Sequence, residues 1–264
     1  MPVFNEEASI PYFINQVNAV LGQLENEYKD TTVSYRFLDN NSSDNTVGEL
    51  VKMQKINSRK IEIVRWVRNY GVMNSIYGGL IVTHADAVMV VDVDLQDPPE
   101  LILDFYSRFR SGFELVTGRR VKRTESRKYT FGRIIFNYIY KTLNSTKSSP
   151  AESGAWLMSK NVVKDLEINP PPTSYLAGVL GNRKYTKYEI SYERVERKYG
   201  DSKFSFIKYL SYAFEAIVAV PRKLMHFLFV ISSCVCLLLF PVDDTQRSGT
   251  DQRAKNGFQG GHGL

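Results

Sequence analysis

Short runs of β-branched and aromatic residues recur along the first half of the chain, and they predict β-strands. Two such runs cover residues 33–38 and 61–66, and a continuously apolar run covers residues 87–91. A strand that is apolar on both faces is typical of a parallel sheet with helices packed on both sides. We therefore expect these runs to form one buried sheet.

Helical spacing of apolar residues separates the strand-like runs. Two helices are predicted, and each follows a candidate N-cap, Ser9 for the first and Asp44 for the second. Their apolar positions are Ile10, Phe13, Val17, Leu21 and Leu24, and then Val47, Leu50 and Val51. The alternation predicts an α/β fold, Rossmann-like, with a mostly parallel sheet and flanking helices. In such folds ligands bind beyond the carboxyl ends of the strands.

The segment "VVDVDLQDPPE", residues 90–100, places acids where the third apolar run ends. In an extended chain Asp92 and Asp94 point to the same side, and Gln96 follows two residues later. Carboxylate and amide oxygens at this spacing suit Mg²⁺ or Mn²⁺, which keep water ligands and bind substrate phosphates. The alternative is that Asp94 or Asp97 only caps a helix that starts at the two prolines.

The last quarter of the chain differs in composition from the rest. An apolar run predicts one transmembrane helix over residues 224–241, the alternative being a buried helix of a soluble protein. Basic residues just before it place the globular domain, residues 1–200, on the cytoplasmic face of the cell membrane. Aromatic and lysine residues over 201–223 predict an interfacial helix, and the polar, Gly-rich residues 242–264 predict a disordered tail.

Charge and cysteine content narrow the function classes only slightly. A net charge of +6 suits phosphate-rich ligands, nucleic acid or an anionic membrane surface. The charge is not gathered into a recognisable module, so we expect no nucleic-acid partner. Two cysteines, Cys234 and Cys236, cannot form a disulfide framework or a zinc knuckle. A homo-oligomer is compatible with this composition.

Six motifs in a fixed order carry a resemblance to a known family. They are "PVFNEE" at 2–7, "LDNNSSDNT" at 38–46, "RNYGVMNSIYGGL" at 68–80, "DVDLQDPPE" at 92–100, "GRR" at 118–120 and "ERKYGDSKFS" at 196–205. Over residues 2–210 the set resembles family 2 glycosyltransferases of the GT-A fold. The chain is most similar to the polyprenyl-phosphate group, which contains dolichol-phosphate mannose synthases and bactoprenol glucosyltransferases. The resemblance implies a divalent metal, a nucleotide-sugar donor and a polyprenyl-phosphate acceptor.

The resemblance also assigns roles to individual residues. Those that match donor-nucleotide positions are Pro2, Phe4, Glu6, Asp39 and Arg68, although Asn40 stands where the family has a second acid. Those that match phosphate-binding positions are Arg119, Arg133, Asn137, Arg197, Ser202 and Lys203. The implied metal ligands are Asp92, Asp94 and Gln96. The implied catalytic residues are Asp94, Arg119 and Glu152.

The implied reaction is an inverting hexose transfer from a donor of the UDP-glucose or GDP-mannose type. A lipid phosphate acceptor is already anionic, whereas a sugar hydroxyl would need a general base. In "SGAWLM", residues 153–158, Gly154 stands where bacterial members often carry an acid, and Glu152 is the nearest substitute. This loss favours the phosphate acceptor, and the product would be a lipid-linked sugar donor for cell-surface glycans.

Two departures from the family pattern leave other interpretations open. Family members usually have a strand before "PVFNEE", so we expect the first strand to be missing or short here. Bacterial members typically carry two membrane spans, and one is predicted in this chain. The alternatives are a family 2 transferase that acts on a sugar hydroxyl, and a degenerate, non-catalytic membrane-bound homologue.

Overall fold

The computed structural model describes residues 1–121, 134, 138, 153–171, 176–195 and 228–236. The strands are β1 (Pro2–Val3), β2 (Tyr35–Asp39), β3 (Ile61–Arg65), β4 (Ala87–Val90), β5 (Leu115–Arg120), β6 (Ser153–Ser159) and β7 (Lys187–Tyr192). The helices between them are α1 (Ser9–Glu27), α2 (Thr46–Ile56), α3 (Val72–Ile81), α4 (Leu101–Arg110), α5 (Lys160–Ile168) and α6 (Leu176–Asn182). The predicted α/β alternation is therefore confirmed.

The first sheet is parallel, with strand order β1-β2-β3. Tyr35 pairs with Ile61 and Asp39 pairs with Arg65, so β2 and β3 end at the same level. β1 is short, as expected, and pairs only with the last two residues of β2. The three predicted strands are confirmed as β2, β3 and β4, with ends that differ by one or two residues, but the expectation of one sheet is wrong because β4 belongs to the second sheet. The loops that follow these strands meet at one edge.

The second sheet is mixed, with strand order β4-β6-β5-β7. β6 runs antiparallel to β4 and β5, whereas β5 and β7 are parallel. Three of the five described strand pairs are parallel, which confirms the prediction of a mostly parallel sheet. Because β5 and β7 are parallel, their carboxyl ends lie side by side at Arg120 and Tyr192.

Apolar side chains cover both faces of the second sheet. Along β6, Trp156 and Met158 belong to one core cluster, while Ala155 and Leu157 belong to another. A strand buried on both faces in this way reads as continuously apolar rather than alternating. A third cluster packs α1 and α2 against the first sheet and also contains Val93. Val93 thereby anchors the segment that follows β4 to the core.

Two predicted helix caps are corrected by the structure. Ser9 is the first residue of α1 rather than its N-cap, and its hydroxyl donates a hydrogen bond to the Glu6 carboxylate at 2.9 Å. Asp44 lies one residue before the N-cap of α2, Asn45. Its carboxylate still accepts the Thr46 N–H at 3.1 Å, so it satisfies one donor of the first turn from outside the helix.

Residues 220–264 form a separate unit, of which the structure describes residues 228–236 as helix α7. In this part Leu228, Phe229, Val230, Ile231 and Val235 are exposed, as are both cysteines. None of the helices among the described residues has the length and apolar character needed to cross a membrane. The predicted interfacial helix over 201–223 and the predicted tail over 242–264 lie outside the described residues.

Candidate active site

Two loops at the carboxyl edge of the first sheet are held together by hydrogen bonds. We call residues 4–8, after β1, and residues 40–45, after β2, the stitched loops. The Asn5 N–H donates to the Ser42 hydroxyl at 2.9 Å, and the Ser43 N–H donates to the Asn5 side chain at 2.8 Å. The Glu6 N–H donates at 2.8 Å to the hydroxyl of Thr46, the first residue of α2. Side chains of one loop thus satisfy the backbone of the other.

Asp39 ends β2 at the base of the stitched loops and has 0% of its surface exposed. Its carboxylate accepts the Ser42 N–H at 3.1 Å and lies 3.3 Å from Nε of Arg65 at the end of β3. The next residue, Asn40, is also buried, and its Oδ1 has no hydrogen-bond partner within the described chain. A buried acceptor without a partner is rare in folded proteins and indicates a role beyond packing.

The acidic loop, residues 91–100, follows β4. The expectation that Asp92 and Asp94 lie in extended chain is wrong, because β4 ends at Val90 and Asp94 lies in a turn. The Gln96 N–H donates to Asp94 Oδ1 at 3.1 Å, and Leu95 has a positive φ of 53°. The turn brings both carboxylates to one guanidinium, so they do converge, by a different route from the one predicted.

Two arginines from other strands neutralise the acidic loop. Arg194, just after β7, places Nη2 at 3.7 Å from Asp92 Oδ2 and 3.8 Å from Asp94 Oδ2. Its Nε donates to Asp97 Oδ1 at 3.1 Å. Arg120, at the end of β5, lies 3.4 Å from Asp97 Oδ2 and also donates to the Tyr192 hydroxyl. Neither Asp94 nor Asp97 shows a hydrogen bond that caps α4, whose N-cap is Glu100.

The charge balance of the acidic loop shifts the ionisation of Asp92. Protein packed around this carboxyl group, together with the negative charges of Asp94 and Asp97, raises its pKa to about 6. The side chain keeps 41% of its surface exposed, so it remains accessible to a ligand from solvent. Negative charge is therefore crowded here, and two guanidinium groups do not fully relieve it.

The acidic loop is chemically suited to a divalent cation. It offers two carboxylates, Asp92 and Asp94, that already share one positive charge, and the amide of Gln96 follows. Mg²⁺ and Mn²⁺ prefer such oxygen ligands. Elsewhere in the described chain, and here, no cluster of three or more His, Cys, Asp or Glu side chains is arranged to hold a metal. The predicted metal ligands are two carboxylates and the amide of Gln96, so they are not a cluster of that type.

The remaining predicted residues are distributed over several parts of the chain. Arg119 on β5 is directed to Glu189 at 3.4 Å, whereas its neighbour Arg120 contacts the acidic loop. Arg68 lies over the ring of Tyr70, 4.7 Å from its centroid. Pro2, Phe4 and Glu6 lie in β1 and the loop after it. The predicted residues that lie outside the described ones are Arg133, Asn137, Glu152, Arg197, Ser202 and Lys203.

Sequence analysis missed two residues of this site, Arg120 and Arg194. Arg120 belongs to the quoted "GRR" motif, but the role was assigned to its neighbour. The signal that could have separated them is strand alternation, since adjacent residues of a strand point to opposite faces. Arg194 lies two residues before the last quoted motif, and nothing in its local sequence connects it with acids a hundred residues earlier.

Comparisons with known proteins place this geometry in a family. The model of "Glycosyl transferase family 2" matches residues 1–166. An undecaprenyl-phosphate 4-deoxy-4-formamido-L-arabinose transferase of Proteus mirabilis is 30% identical over 91% of this chain and 72% of its own length. The prophage bactoprenol glucosyl transferase homolog of Escherichia coli is 28% identical over 83% of this chain and 70% of its own.

Among solved structures, similarity extends to glucosyl-3-phosphoglycerate synthase of Mycobacterium tuberculosis, in complex with Mn²⁺, uridine diphosphate and phosphoglyceric acid. It is 18% identical, with a TM-score of 0.54 over 83% of this chain and 75% of that one. At this identity the likeness concerns the fold, which is the GT-A-like α/β fold expected from the motifs. Since the family model covers well over half of the sequence, the chain belongs to glycosyl transferase family 2.

Proposed function

We propose that this protein transfers a hexose from a nucleotide sugar to polyprenyl phosphate, with inversion at the anomeric carbon. The observation that carries the proposal is the acidic loop, whose Asp92 and Asp94 lie beyond β4 and are met by Arg194. This arrangement suits an anionic leaving group bound through a cation. The relatives named for undecaprenyl phosphate and bactoprenol support a polyprenyl-phosphate acceptor.

Asp92, Asp94 and Gln96 would hold Mg²⁺ or Mn²⁺ in this protein. The ion, when bound, supplies positive charge next to the diphosphate that leaves. A solved relative of the same fold was obtained with Mn²⁺ and uridine diphosphate, which supports a divalent ion. The protein's own part is to keep the carboxylates together, which it does through the turn at Leu95 and the buried Val93.

The stitched loops are the proposed binding site of the nucleoside. They contain Phe4 and Glu6, and they are flanked by Pro2 and Asp39, the positions assigned to the donor. Their hydrogen bonds fix the backbone before a ligand arrives, which lowers the entropic cost of binding. The buried Oδ1 of Asn40 is an acceptor that a donor group of the base could satisfy. Arg68 follows β3 at the same edge and is the last of the residues assigned to the donor nucleotide.

Arginine side chains are the proposed ligands of the donor and acceptor phosphates. Guanidinium groups bind phosphate oxygens through two parallel hydrogen bonds and stay charged at any physiological pH. Asp94 and Arg119 are proposed in the catalytic roles that the resemblance implies, with Arg120 added because it is the arginine of this strand that contacts the acidic loop. The proposed phosphate-binding residues beyond the described part of the chain are Arg133, Asn137, Arg197, Ser202 and Lys203.

We propose a phosphate acceptor because a phosphate nucleophile needs no general base. A phosphate monoester carries about −1.5 to −2 charge near pH 7, so it can attack the anomeric carbon without losing a proton to the protein. Gly154 offers no side chain that could act as a base, and Glu152 is the nearest acid in sequence. A hydroxyl acceptor would require such a base within hydrogen-bond reach.

A lipid acceptor also requires that the protein meet a membrane. We place the chain at the cell membrane, with the catalytic domain on the cytoplasmic face. Exposed apolar residues of α7, among them Phe229 and Ile231, support an anchor within the predicted span over 224–241. The aromatic and basic stretch over 201–223 is the proposed interfacial helix.

One experiment tests the proposal directly. Membranes from cells that express the full chain are incubated with Mg²⁺, polyprenyl phosphate and radiolabelled UDP-glucose or GDP-mannose. Label that appears in the organic phase, and that disappears when polyprenyl phosphate is omitted, is the expected result. A matched chain with Asp94→Ala should give no label above background. Label confined to the aqueous phase with each donor would contradict the proposed acceptor.

The same assay separates a phosphate acceptor from a hydroxyl acceptor. Glu152→Gln should retain most of the transfer, because no proton needs to be removed from an anionic phosphate. A general base contributes about 10²- to 10⁴-fold to a rate. A loss of about 10³-fold at saturating donor, with unchanged donor affinity, would show that Glu152 is catalytic and would overturn this account of the acceptor.

A further inference from the structure

We infer that Arg194 is a positioning residue that occupies the acidic loop as a counter-ion before the cation binds, and that it must release Asp92 and Asp94 when the cation arrives. The inference rests on the proposed function, since it concerns how that site is loaded. Arg194 Nη2 lies 3.7 Å and 3.8 Å from the Oδ2 atoms of these two acids. No other described basic side chain forms an ion pair with either carboxylate.

The guanidinium and a divalent cation compete for the same oxygens. Both are positive, and two positive charges within a few ångströms repel strongly in a site that is partly shielded from water. Only 25% of the Arg194 side chain is exposed, so solvent screens this repulsion incompletely. A cation that binds Asp92 and Asp94 therefore pushes the guanidinium away from both.

Arg194 can move without leaving the site, because its contacts differ in strength. Nε donates to Asp97 Oδ1 at 3.1 Å, a normal charge-assisted hydrogen bond. The Nη2 contacts at 3.7 Å and 3.8 Å are ion pairs beyond hydrogen-bond distance. Asp97 has only 6% of its side chain exposed and is also held by Arg120. Asp97 thus serves as a fixed pivot on which the outer part of Arg194 can turn.

The backbone ties this movement to the acidic loop and to the segment that follows. The N–H of Val195 donates to the carbonyl of Gln96 at 2.9 Å, so the end of β7 is joined to the predicted metal-binding segment. Arg197, assigned to phosphates, comes two residues later in the sequence. Once released, the Arg194 guanidinium is placed to donate to a diphosphate bound at the same cation.

A thermodynamic consequence follows. The cation alone has to displace Arg194 from Asp92 and Asp94, which weakens its binding. The phosphates of a nucleoside diphosphate can pair with the displaced guanidinium, and this pairing replaces its interaction with Asp92 and Asp94. Cation and nucleotide therefore strengthen each other's binding, and the coupling is the same in both directions. An enzyme built in this way loads metal and donor together.

The test measures Mn²⁺ binding rather than catalysis. Free Mn²⁺ is followed by electron paramagnetic resonance in titrations of the purified full chain, alone and with UDP or GDP. Arg194→Gln should bind Mn²⁺ alone about tenfold more tightly than the unaltered protein, on the order of one ion pair. The strengthening of Mn²⁺ binding by nucleotide should be smaller in this variant, and the part that remains is the direct contact between the cation and the diphosphate.

Two further variants control for charge and for general effects. Arg194→Lys keeps the positive charge but has no Nε to donate to Asp97, so its affinity for Mn²⁺ alone should lie between those of the unaltered protein and Arg194→Gln. Arg110→Gln removes an exposed arginine paired with Asp30 and should change neither quantity. Melting curves of each variant establish that it is folded before the titrations are compared.

The results that would overturn the inference are distinct from those that would overturn the proposed function. Unchanged or weaker Mn²⁺ binding in folded Arg194→Gln means that the guanidinium does not compete with the cation. If that variant does not fold, the unaltered protein still tests the inference. In that protein UDP or GDP should strengthen Mn²⁺ binding, and an affinity for Mn²⁺ that neither nucleotide raises would contradict the coupling. If the Mn²⁺ titrations give the expected results but no lipid-linked product forms, this inference holds and the proposed polyprenyl-phosphate acceptor is wrong.

Discussion

The stitched loops and the acidic loop both follow strand ends, yet they keep their shapes by different means. In the stitched loops, hydrogen bonds such as those of Asn5 with Ser42 and of Glu6 with Thr46 are 2.8–2.9 Å long and join groups of the protein to one another. In the acidic loop, three carboxylates face two guanidinium groups at 3.1–3.8 Å. Apart from the unpaired Oδ1 of Asn40, the first arrangement is complete without a ligand, whereas the second carries unrelieved charge.

The difference shows which part of a site is rigid and which part is exchangeable. Neutral hydrogen bonds between partly buried groups, such as those of Asn5 with Ser42 and of Glu6 with Thr46, have no substitute within the protein and are costly to break. Ion pairs longer than 3.5 Å can be replaced by another ion of the same sign at little cost. We therefore expect changes in the stitched loops to lower stability and donor affinity, and changes in the acidic loop to lower turnover.

The largest effect is expected for Asp94→Ala. Loss of a cation ligand should lower kcat/KM by about 10³-fold, because metal stabilisation of the leaving group amounts to several kcal/mol. Stability should be unchanged or slightly higher, since repulsion with Asp92 is removed. Label transfer and urea unfolding measure the two quantities. Asp104→Asn, on the exposed side of α4, is the control, and a clear drop in stability of Asp94→Ala would break the comparison.

A smaller effect on activity is expected for Asp39→Asn. The substitution keeps the shape but removes a charge that pairs with Arg65 and accepts the Ser42 N–H. Donor KM should rise about tenfold with kcat nearly constant, the pattern of lost ground-state binding. Steady-state kinetics with varied donor give both constants. Asp30→Asn, which alters an exposed ion pair, should change neither, and a fall in kcat alone for Asp39→Asn would argue against a donor role.

Thr46→Val should affect stability more than chemistry. It removes the buried hydroxyl that accepts the Glu6 N–H and donates to Asp44, and it leaves these two partly buried groups without that partner. The free energy of unfolding should fall by about 1–3 kcal/mol. Urea denaturation measures this loss, with Ser111→Ala as a control for an exposed hydroxyl. Unchanged stability would mean that the stitched loops are not held by these bonds.

The smallest effect is expected for Asp165, whose carboxylate is neutralised by its hydrogen-bond and ion-pair partners, in contrast with Asp92. Hydrogen bonds from Tyr185 and Asn169, with the neighbouring Arg183, lower the pKa of Asp165 to about 2. A carboxyl with a depressed pKa stabilises the folded state fully above its ordinary pKa near 3.8, and the contribution is lost as the pH falls through about 2. The exposed position limits this contribution to less than about 1 kcal/mol.

This pH effect is measured as the difference in unfolding free energy between pH 5 and pH 2.5. The unaltered protein should lose more stability over this interval than Asp165→Asn, which has no carboxyl to protonate. Equal losses in the two proteins would show that the ion pair with Arg183 contributes nothing in solution.

Sequence patterns predicted β2, β3, β4 and the first two helices because each of these elements is specified locally. The apolar run before Asp92 and the helical spacing from Ile10 needed no partner to be recognised. β6 was not predicted as a strand, since the place of Ser153–Ser159 between β4 and β5 is fixed only by non-local pairing. The same reason explains Arg120 and Arg194, which reach the acidic loop through the parallel register of β5 and β7.

The antiparallel insertion of β6 has a consequence for biosynthesis. The strands of the first sheet are all complete once the ribosome has passed Arg65, whereas β4 gains its described strand partner only when Ser153–Ser159 has emerged. At about 5–20 residues per second, this separation is on the order of ten seconds. During that interval one edge of a strand just ahead of Asp92 lacks its β6 partner, a state prone to mispairing and to capture by chaperones. The nascent chain thus completes the strands of the first sheet well before those of the second.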